Sequence, residues 1–244
     1  MRLLVDVGNT QVKYVFQALE CAAPLSEIVY LDYQSFQAQL SQGNFSHVSE
    51  VFLANVHGRE VYDAIEQWTV HNNIAFEQVH SSAKAFGVTS SYQQPERLGV
   101  DRWLAMIGAK QLYPKQNLLI IDAGTATTVD LLDANGQHHG GWIMPGVQTL
   151  FNSLLSRTHQ IIATPKAIAS LSFGMDSSNC LNHGNWAMTI GAIKEAIIQA
   201  DSLLILDKIL ITGGNGKEIA NLITDNCQLE PKLVFHGLSC FQAS

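Results

Sequence analysis

Charge is scarce in this chain of 244 residues: Asp, Glu, Lys and Arg make up only 14%. Lys and Arg number 14 against 21 Asp and Glu, giving a formal net charge of −7 and a pI near 5.6. A surface of that sign repels a nucleic-acid backbone, so nucleic acid is excluded as a partner. A nucleotide is not excluded, because backbone amides, a few local cations and a metal can hold phosphates on an acidic protein. Long apolar runs are also missing. None approaches the roughly 20 residues that span a bilayer, so no membrane is expected. Only Arg2 precedes Leu3-Leu4-Val5, and Asp6 ends that run, so no signal peptide is expected either. Four scattered cysteines (Cys21, Cys180, Cys227, Cys240) form no C-x-x-C pair. Neither a zinc site nor a disulfide framework is expected, and a reduced, cytoplasmic protein is the default. There is no Pro-, Gly- or Ser-rich linker and no low-complexity segment. What remains, at 47% hydrophobic and 8% aromatic residues, is a globular composition long enough for one large domain or two small ones.

Three short apolar runs each end in a turn of small residues: Leu3 to Asp6 before Gly8-Asn9-Thr10, Leu118 to Asp122 before Gly124-Thr125, and Ile209 to Thr212 before Gly213-Gly214-Asn215. Runs of this length bounded by glycine read as buried strands. In the first two, Asp closes the strand, a Gly/Thr turn follows, and a second strand returns: Val12, Tyr14 and Phe16 in one, Thr128 to Leu132 in the other. The two Asp residues lie close to half the chain apart, which points to a duplicated domain. Val51 to Ala54 reads as a further strand, and Arg59 to His71 as a helix with Val61, Ile65 and Trp68 inward. Residues 101–112 read as a helix capped by Asp101, with Trp103, Leu104 and Ile107 inward. The clearest helical stripe runs through Trp186, Ile190, Ile193, Ile197, Ala200 and Leu204, starting after Asn185. Strands alternating with helices give an α/β chain.

An Asp-terminated strand followed by Gly-Asn-Thr suits phosphate handling. Glycine admits an anion close to the backbone, and the turn's amides and hydroxyls donate to phosphate oxygens. The carboxylate repels phosphate and must act through a cation or on a proton. Two such turns could clamp a polyphosphate tail. The competing reading is a plain strand-ending turn, since Asp, Asn and Gly favour turns in any case. His138 and His139 point to opposite faces if extended, make poor partners for one metal, and read as a polar turn.

Asp6-Val7-Gly8-Asn9-Thr10 resembles the first phosphate motif of the acetate and sugar kinase, heat-shock ATPase and actin superfamily. Asp122 to Thr128 resembles its second, and Gly213-Gly214-Asn215 its adenosine motif. Gly99-Val100-Asp101-Arg102 and Gly140-Gly141-Trp142-Ile143-Met144-Pro145-Gly146 are similar to signatures of the type III pantothenate kinases within it. The resemblance implies two ribonuclease-H-like domains, over 1–115 and 116–244, each a mixed sheet flanked by helices with the nucleotide between them. It implies an alcohol phosphotransferase that uses ATP with Mg²⁺ and a monovalent cation, K⁺ or NH₄⁺, and forms a homodimer.

Carried over position by position, Asp6 orients the metal-bound phosphates, and Asp6, Val7, Gly8, Asn9, Thr10, Gln11, Val12 and Lys13 form the ATP-contacting segment. Lys13 is otherwise an exposed strand lysine. Thr125 contacts nucleotide, or is a turn hydroxyl. Asp122 corresponds to the monovalent-cation ligand. Asp101 is the candidate general base, since phosphorylating an alcohol requires a group to accept the hydroxyl proton. Arg102 beside it fits a carboxylate by paired hydrogen bonds, and pantothenate carries both a carboxylate and a primary hydroxyl; the alternative is a surface ion pair. Tyr92, Gly99 and Val100 complete the substrate set on this side. Ser177 stands where the family usually has a substrate-contacting threonine, and keeps the hydroxyl. The stripe from Trp186 suits the core or a dimer interface. Two other functions stay open from sequence: a kinase for another hydroxyl substrate such as a sugar, and a regulatory ATP-binding protein like the Bvg accessory factor.

Overall fold

A computed structural model of the chain describes residues 1–20, 23–158, 162–165, 168–223 and 226–242. Cys21 therefore lies outside the described residues. The chain forms two compact units, Met1–Pro114 joined by the segment from Lys232 onward, and Lys115–Pro231.

The first unit is built on β1 (Arg2–Val7), β2 (Val12–Gln17), β3 (Val29–Leu31), α1 (Tyr33–Ser41), β4 (Glu50–Asn55), α2 (Arg59–His71) and β5 (Ala75–Gln78). A small hairpin, β6 (Lys84–Ala85) with β7 (Val88–Thr89), and a 3-10 turn at Pro95–Arg97 lead into α3 (Val100–Leu112). The five-stranded sheet runs β3-β2-β1-β4-β5. β1 pairs antiparallel with β2 and parallel with β4. As the central strand, β1 is buried from Leu3 to Val7, which is why it reads as an unbroken apolar run rather than an alternation. Leu3, Val5 and Val7 pack with Phe36 of α1 and with Val61 and Ile65 of α2.

The second unit repeats the order with β8 (Leu118–Ala123), β9 (Ala126–Leu132), β10 (His138–Pro145), α4 (Val147–Arg157), α5 (Ser177–Leu203), β11 (Lys208–Thr212), α6 (Gly216–Leu222) and β12 (Cys227–Leu229). Its sheet runs β10-β9-β8-β11-β12, again antiparallel on one side of the central strand and parallel on the other. The near-copy seen at Asp6 and Asp122 is thus the visible end of a duplicated sheet. Trp186, Ile190, Ile193 and Ala200 of α5 pack on Leu119, Ile121 and Val129, so the stripe is core. The helix starts nine residues before the stripe, because Asp176 caps it by accepting from Asn179 N at 2.8 Å.

The two histidines do not form a turn. His138 opens β10, is buried, and places Nε2 3.0 Å from Asp130 Oδ1, while His139 meets Asp133 on the exposed side. The buried Asp130 partner lies eight residues upstream, across a sheet pairing that local composition did not predict.

Helix α7 (Leu233–Leu238) packs against α3 in the first unit. The approach is glycine-mediated. A Cβ on Gly108 would collide with the Leu233 carbonyl, and one on Gly237 with the Leu104 carbonyl. Helix propensity alone favours alanine over glycine by about 1 kcal/mol, so Gly108→Ala separates the two effects. Packing should win, at a cost of about 1–3 kcal/mol, seen as a melting temperature lower by about 2–12 °C. An unchanged or higher melting temperature would mean the helices are not in this close contact.

Candidate active site

In the first unit, the hairpin between β1 and β2 sets Asp6 directly opposite Lys13. The Asp6 carboxylate is buried, and Lys13 Nζ lies 3.5 Å from its Oδ2. Between them the turn closes through Gly8 N donating to Gln11 O at 3.1 Å, leaving Asn9 and Thr10 exposed. Burial holds the Asp6 carboxyl above its ordinary range. Lys13 opposes the shift, the Asp101 carboxylate adds to it, and the net direction is upward. An ionised Asp6 therefore sits in a place that wants more positive charge than one lysine provides. That donor set fits a divalent cation brought in with phosphate.

Asp101 does not cap α3. The cap is Gly99, and Asp101 is the second helical residue, its Oδ1 accepting from Arg102 N at 2.8 Å. The carboxylate still serves an orphan amide of the first turn, from inside the helix. Its position explains Gly99: a Cβ there would stand 2.6 Å from Asp101 Oδ1. Arg102 is not a surface ion pair. It is only 4% exposed, and its Nη1 donates to the Tyr92 hydroxyl at 2.9 Å. Its guanidinium also lies over the Tyr92 ring, 5.8 Å from the centroid. Tyr92, Gly99, Asp101 and Arg102 are thus gathered at the start of α3, and Asp101 is near enough to Asp6 to act on its charge.

In the second unit, Asp122 is the penultimate residue of β8 and is half-buried, with Thr128 and Thr212 as its neighbours on the flanking strands. Gly213, at φ +87°, turns the chain away from β11 beside it; a Cβ there would stand 2.5 Å from Asp122 Oδ1. Thr125 is exposed, and its carbonyl accepts from Gly146 N at 2.9 Å and from Thr149 Oγ1 at 2.7 Å. Gly146 has no room for a side chain, because a Cβ would enter the Gly124 and Thr125 carbonyls. The glycine-rich segment ending at Gly146 therefore braces the second turn. Ser177 is the first residue of α5, exposed beside a hollow of about 820 Å³ that Met175, Cys180 and Met188 also line. A smaller hollow of about 110 Å³ lies between β10 and α5, lined by His139, Ala200 and the Gly140-Gly141-Trp142 stretch. Among the described residues, no three His, Cys, Asp or Glu side chains gather as a metal cage. A cation at Asp6 or Asp122 would need oxygens from phosphate, water or backbone. Also among the described residues, no helix is long and apolar enough to cross a membrane.

A model of the family described as type III pantothenate kinase matches residues 2–199. The chain belongs to the type III pantothenate kinase family. A type III pantothenate kinase of Colwellia psychrerythraea is 42% identical over 248 residues, covering 98% of both chains. One from Pseudoalteromonas translucida is 32% identical over 245 residues, covering 98% of this chain and 95% of its own. Among solved structures, a Baf family transcriptional activator from Campylobacter jejuni superposes with a TM-score of 0.63 at 22% identity, over 98% of this chain and 96% of that one. At that identity the likeness is one of fold alone. The two five-stranded mixed sheets with flanking helices are those of the actin-like ATPase fold.

One contact at the first turn of this pantothenate kinase family member had no signal in the sequence. The Tyr33 hydroxyl, from the start of α1, donates to the Gly8 carbonyl at 2.6 Å. A tyrosine 25 residues downstream carries no local mark of that role, because chain folding alone brings it there.

Proposed function

We propose that Asp6, Lys13, Asp101 and Arg102 carry the family's reaction, transfer of the γ-phosphoryl group of ATP to the primary hydroxyl of pantothenate, the first step towards coenzyme A. The observation that carries this assignment of roles is geometric: a buried Asp6 stands opposite Lys13, and a buried Arg102, next to Asp101, is held by Tyr92, with the upward shift of the Asp6 carboxyl, to which Asp101 adds, in support. Asp101 accepts the hydroxyl proton as the new O–P bond forms, while the bond from phosphorus to the bridging oxygen breaks and ADP leaves. Arg102, buried and oriented by Tyr92, holds the pantothenate carboxylate, with Gly99 and Val100 shaping the same wall. The segment Asp6 to Lys13 holds the ATP phosphates, Lys13 by charge and the turn by its amides. Asp6 would hold Mg²⁺ together with the phosphates, and the ion supplies charge neutralisation at the transferring group. In the second unit, Thr125 contacts the nucleotide, Asp122 takes K⁺ or NH₄⁺, and Ser177 offers its hydroxyl to substrate. Catalysis is then chiefly positioning and charge stabilisation.

The same reading includes a homodimer. Leu154, Met175 and Met188 are exposed and line the Ser177 hollow, an apolar surface of the kind that subunits cover.

The test is ADP release with Mg-ATP and pantothenate, measured with and without potassium, with the molar mass taken by light scattering on the same preparation. Pantothenate-dependent release, stimulated by potassium, from a particle of twice the chain mass is expected. Release with hexoses but not pantothenate would sink the substrate assignment. Indifference to monovalent ions would remove the role given to Asp122, and a monomeric mass would remove the dimer.

A further inference from the structure

The Tyr33 contact reaches further than the helix it belongs to. Helix α1 is already held without the Tyr33 hydroxyl: Asp32 caps it, accepting from Ser35 N at 2.7 Å, and Phe36 and Leu40 are buried in the core. The hydroxyl instead goes to Gly8 O, and the ring stacks on His57 with centroids 4.2 Å apart and planes 12° from parallel. His57 lies in the loop after β4, which Asn55 shapes: its Oδ1 accepts from His57 N at 3.0 Å, and its Nδ2 donates to Gly58 O at 2.7 Å. β1 and β4 are parallel neighbours, and Val56 N donates to Val7 O at 3.0 Å. One aromatic pair thus joins the loops at the carboxyl ends of two adjacent parallel strands, where open α/β sheets bind their ligands.

A peptide group is planar and trans, so the Gly8 carbonyl and the Asn9 N–H point in opposite directions from one rigid plane. Fixing the Gly8 oxygen fixes where the Asn9 amide aims. We propose that Tyr33 is a positioning residue for ATP: by holding the Gly8 carbonyl it orients the Asn9 amide towards the phosphates, and the His57 stack keeps its ring in place. This rests on the reading of Asp6 to Lys13 as the ATP segment. Burial raises the Tyr33 hydroxyl above its usual pKa, so it stays a donor at neutral pH.

Tyr33→Phe keeps the ring and its stack and removes only the donor. The KM for ATP should rise about threefold to tenfold, the range that one lost hydrogen bond gives. The KM for pantothenate and the kcat at saturating ATP should stay within about twofold, and a direct ATP titration should show the same loss. His57→Phe, which keeps a stacking ring, should match the wild type, whereas His57→Ala should move in the direction of Tyr33→Phe. Tyr14→Phe is the control: its hydroxyl donates to Gln39 Oε1 at 3.0 Å, outside the turn, and its loss should leave the KM for ATP unchanged. Wild-type ATP affinity in Tyr33→Phe would overturn the proposal. So would both KM values rising together with a lower melting temperature, which is the mark of a merely structural role. A wild-type chain that binds no ATP would overturn the reading of the segment itself, and this inference with it.

Discussion

Asp101→Asn should lower kcat by about 10²–10⁴-fold, the contribution of a positioned general base. The amide has nearly the shape of the carboxylate, and its oxygen still accepts from Arg102 N, so the start of α3 should survive. The KM for pantothenate should change little, because the proton is accepted only as the O–P bond forms. Arg102→Met gives the complementary result, a raised KM for pantothenate with kcat less affected, since it removes binding of the carboxylate common to ground and transition states. Steady-state kinetics of both variants, with melting curves to confirm folding, make the check. Full activity in Asp101→Asn would remove it as the base.

Asp6→Asn should do two opposite things. Turnover should fall by about 10²–10³-fold, the scale of losing an electrostatic contact to the transferring phosphoryl group. Stability of the nucleotide-free chain at neutral pH should rise. The folded carboxyl has its pKa raised above the ordinary 3.8 by burial and by Asp101, with Lys13 opposing. A group raised in the folded state favours folding in its protonated form. That contribution is fully present below the unfolded value and is lost as the pH rises through the folded one. At pH 7 the ionised Asp6 is therefore a burden, which asparagine removes. The melting temperature should rise by about 2–4 °C, what about 1 kcal/mol is worth in a chain of this size. The gain should shrink as the pH falls through the raised folded-state value and the native carboxyl protonates by itself. A lower melting temperature at pH 7 would mean that the pair with Lys13 outweighs burial. On the proposed reading of Asp6 this is the familiar opposition of stability and function.

Much of the fold was legible because its strongest elements are local. β1, β8 and β11 are short apolar runs ending at glycine turns, and α2 was read with its boundaries intact from apolar spacing alone. The candidate residues around Asp6 and Gly99 were likewise legible as motifs, since their chemistry depends on neighbours in the chain. Sequence and structure part where a local rule meets a contact from elsewhere in the chain. Asp101 has the composition of a cap, yet α3 begins at Val100, so Gly99 takes that place and the carboxylate serves the first turn from inside the helix. His138 looked like part of a turn, yet pairing with β9 draws it into a strand and against Asp130.

By itself the sequence determined two apolar strands that reach an Asp and then a glycine turn, half a chain apart, and a Gly-x-Asp-Arg stretch that resembles a signature of this family. These are short-range patterns, fixed by strand burial and by the backbone freedom of glycine. Only the tertiary structure decided that Arg102 is buried on Tyr92, that α7 returns to lie against α3 through Gly108 and Gly237, and that Tyr33 and His57 brace the first turn. Each of these depends on which segments a folded sheet brings side by side. A residue's type and its spacing along the chain carry no record of that until the sheet has formed.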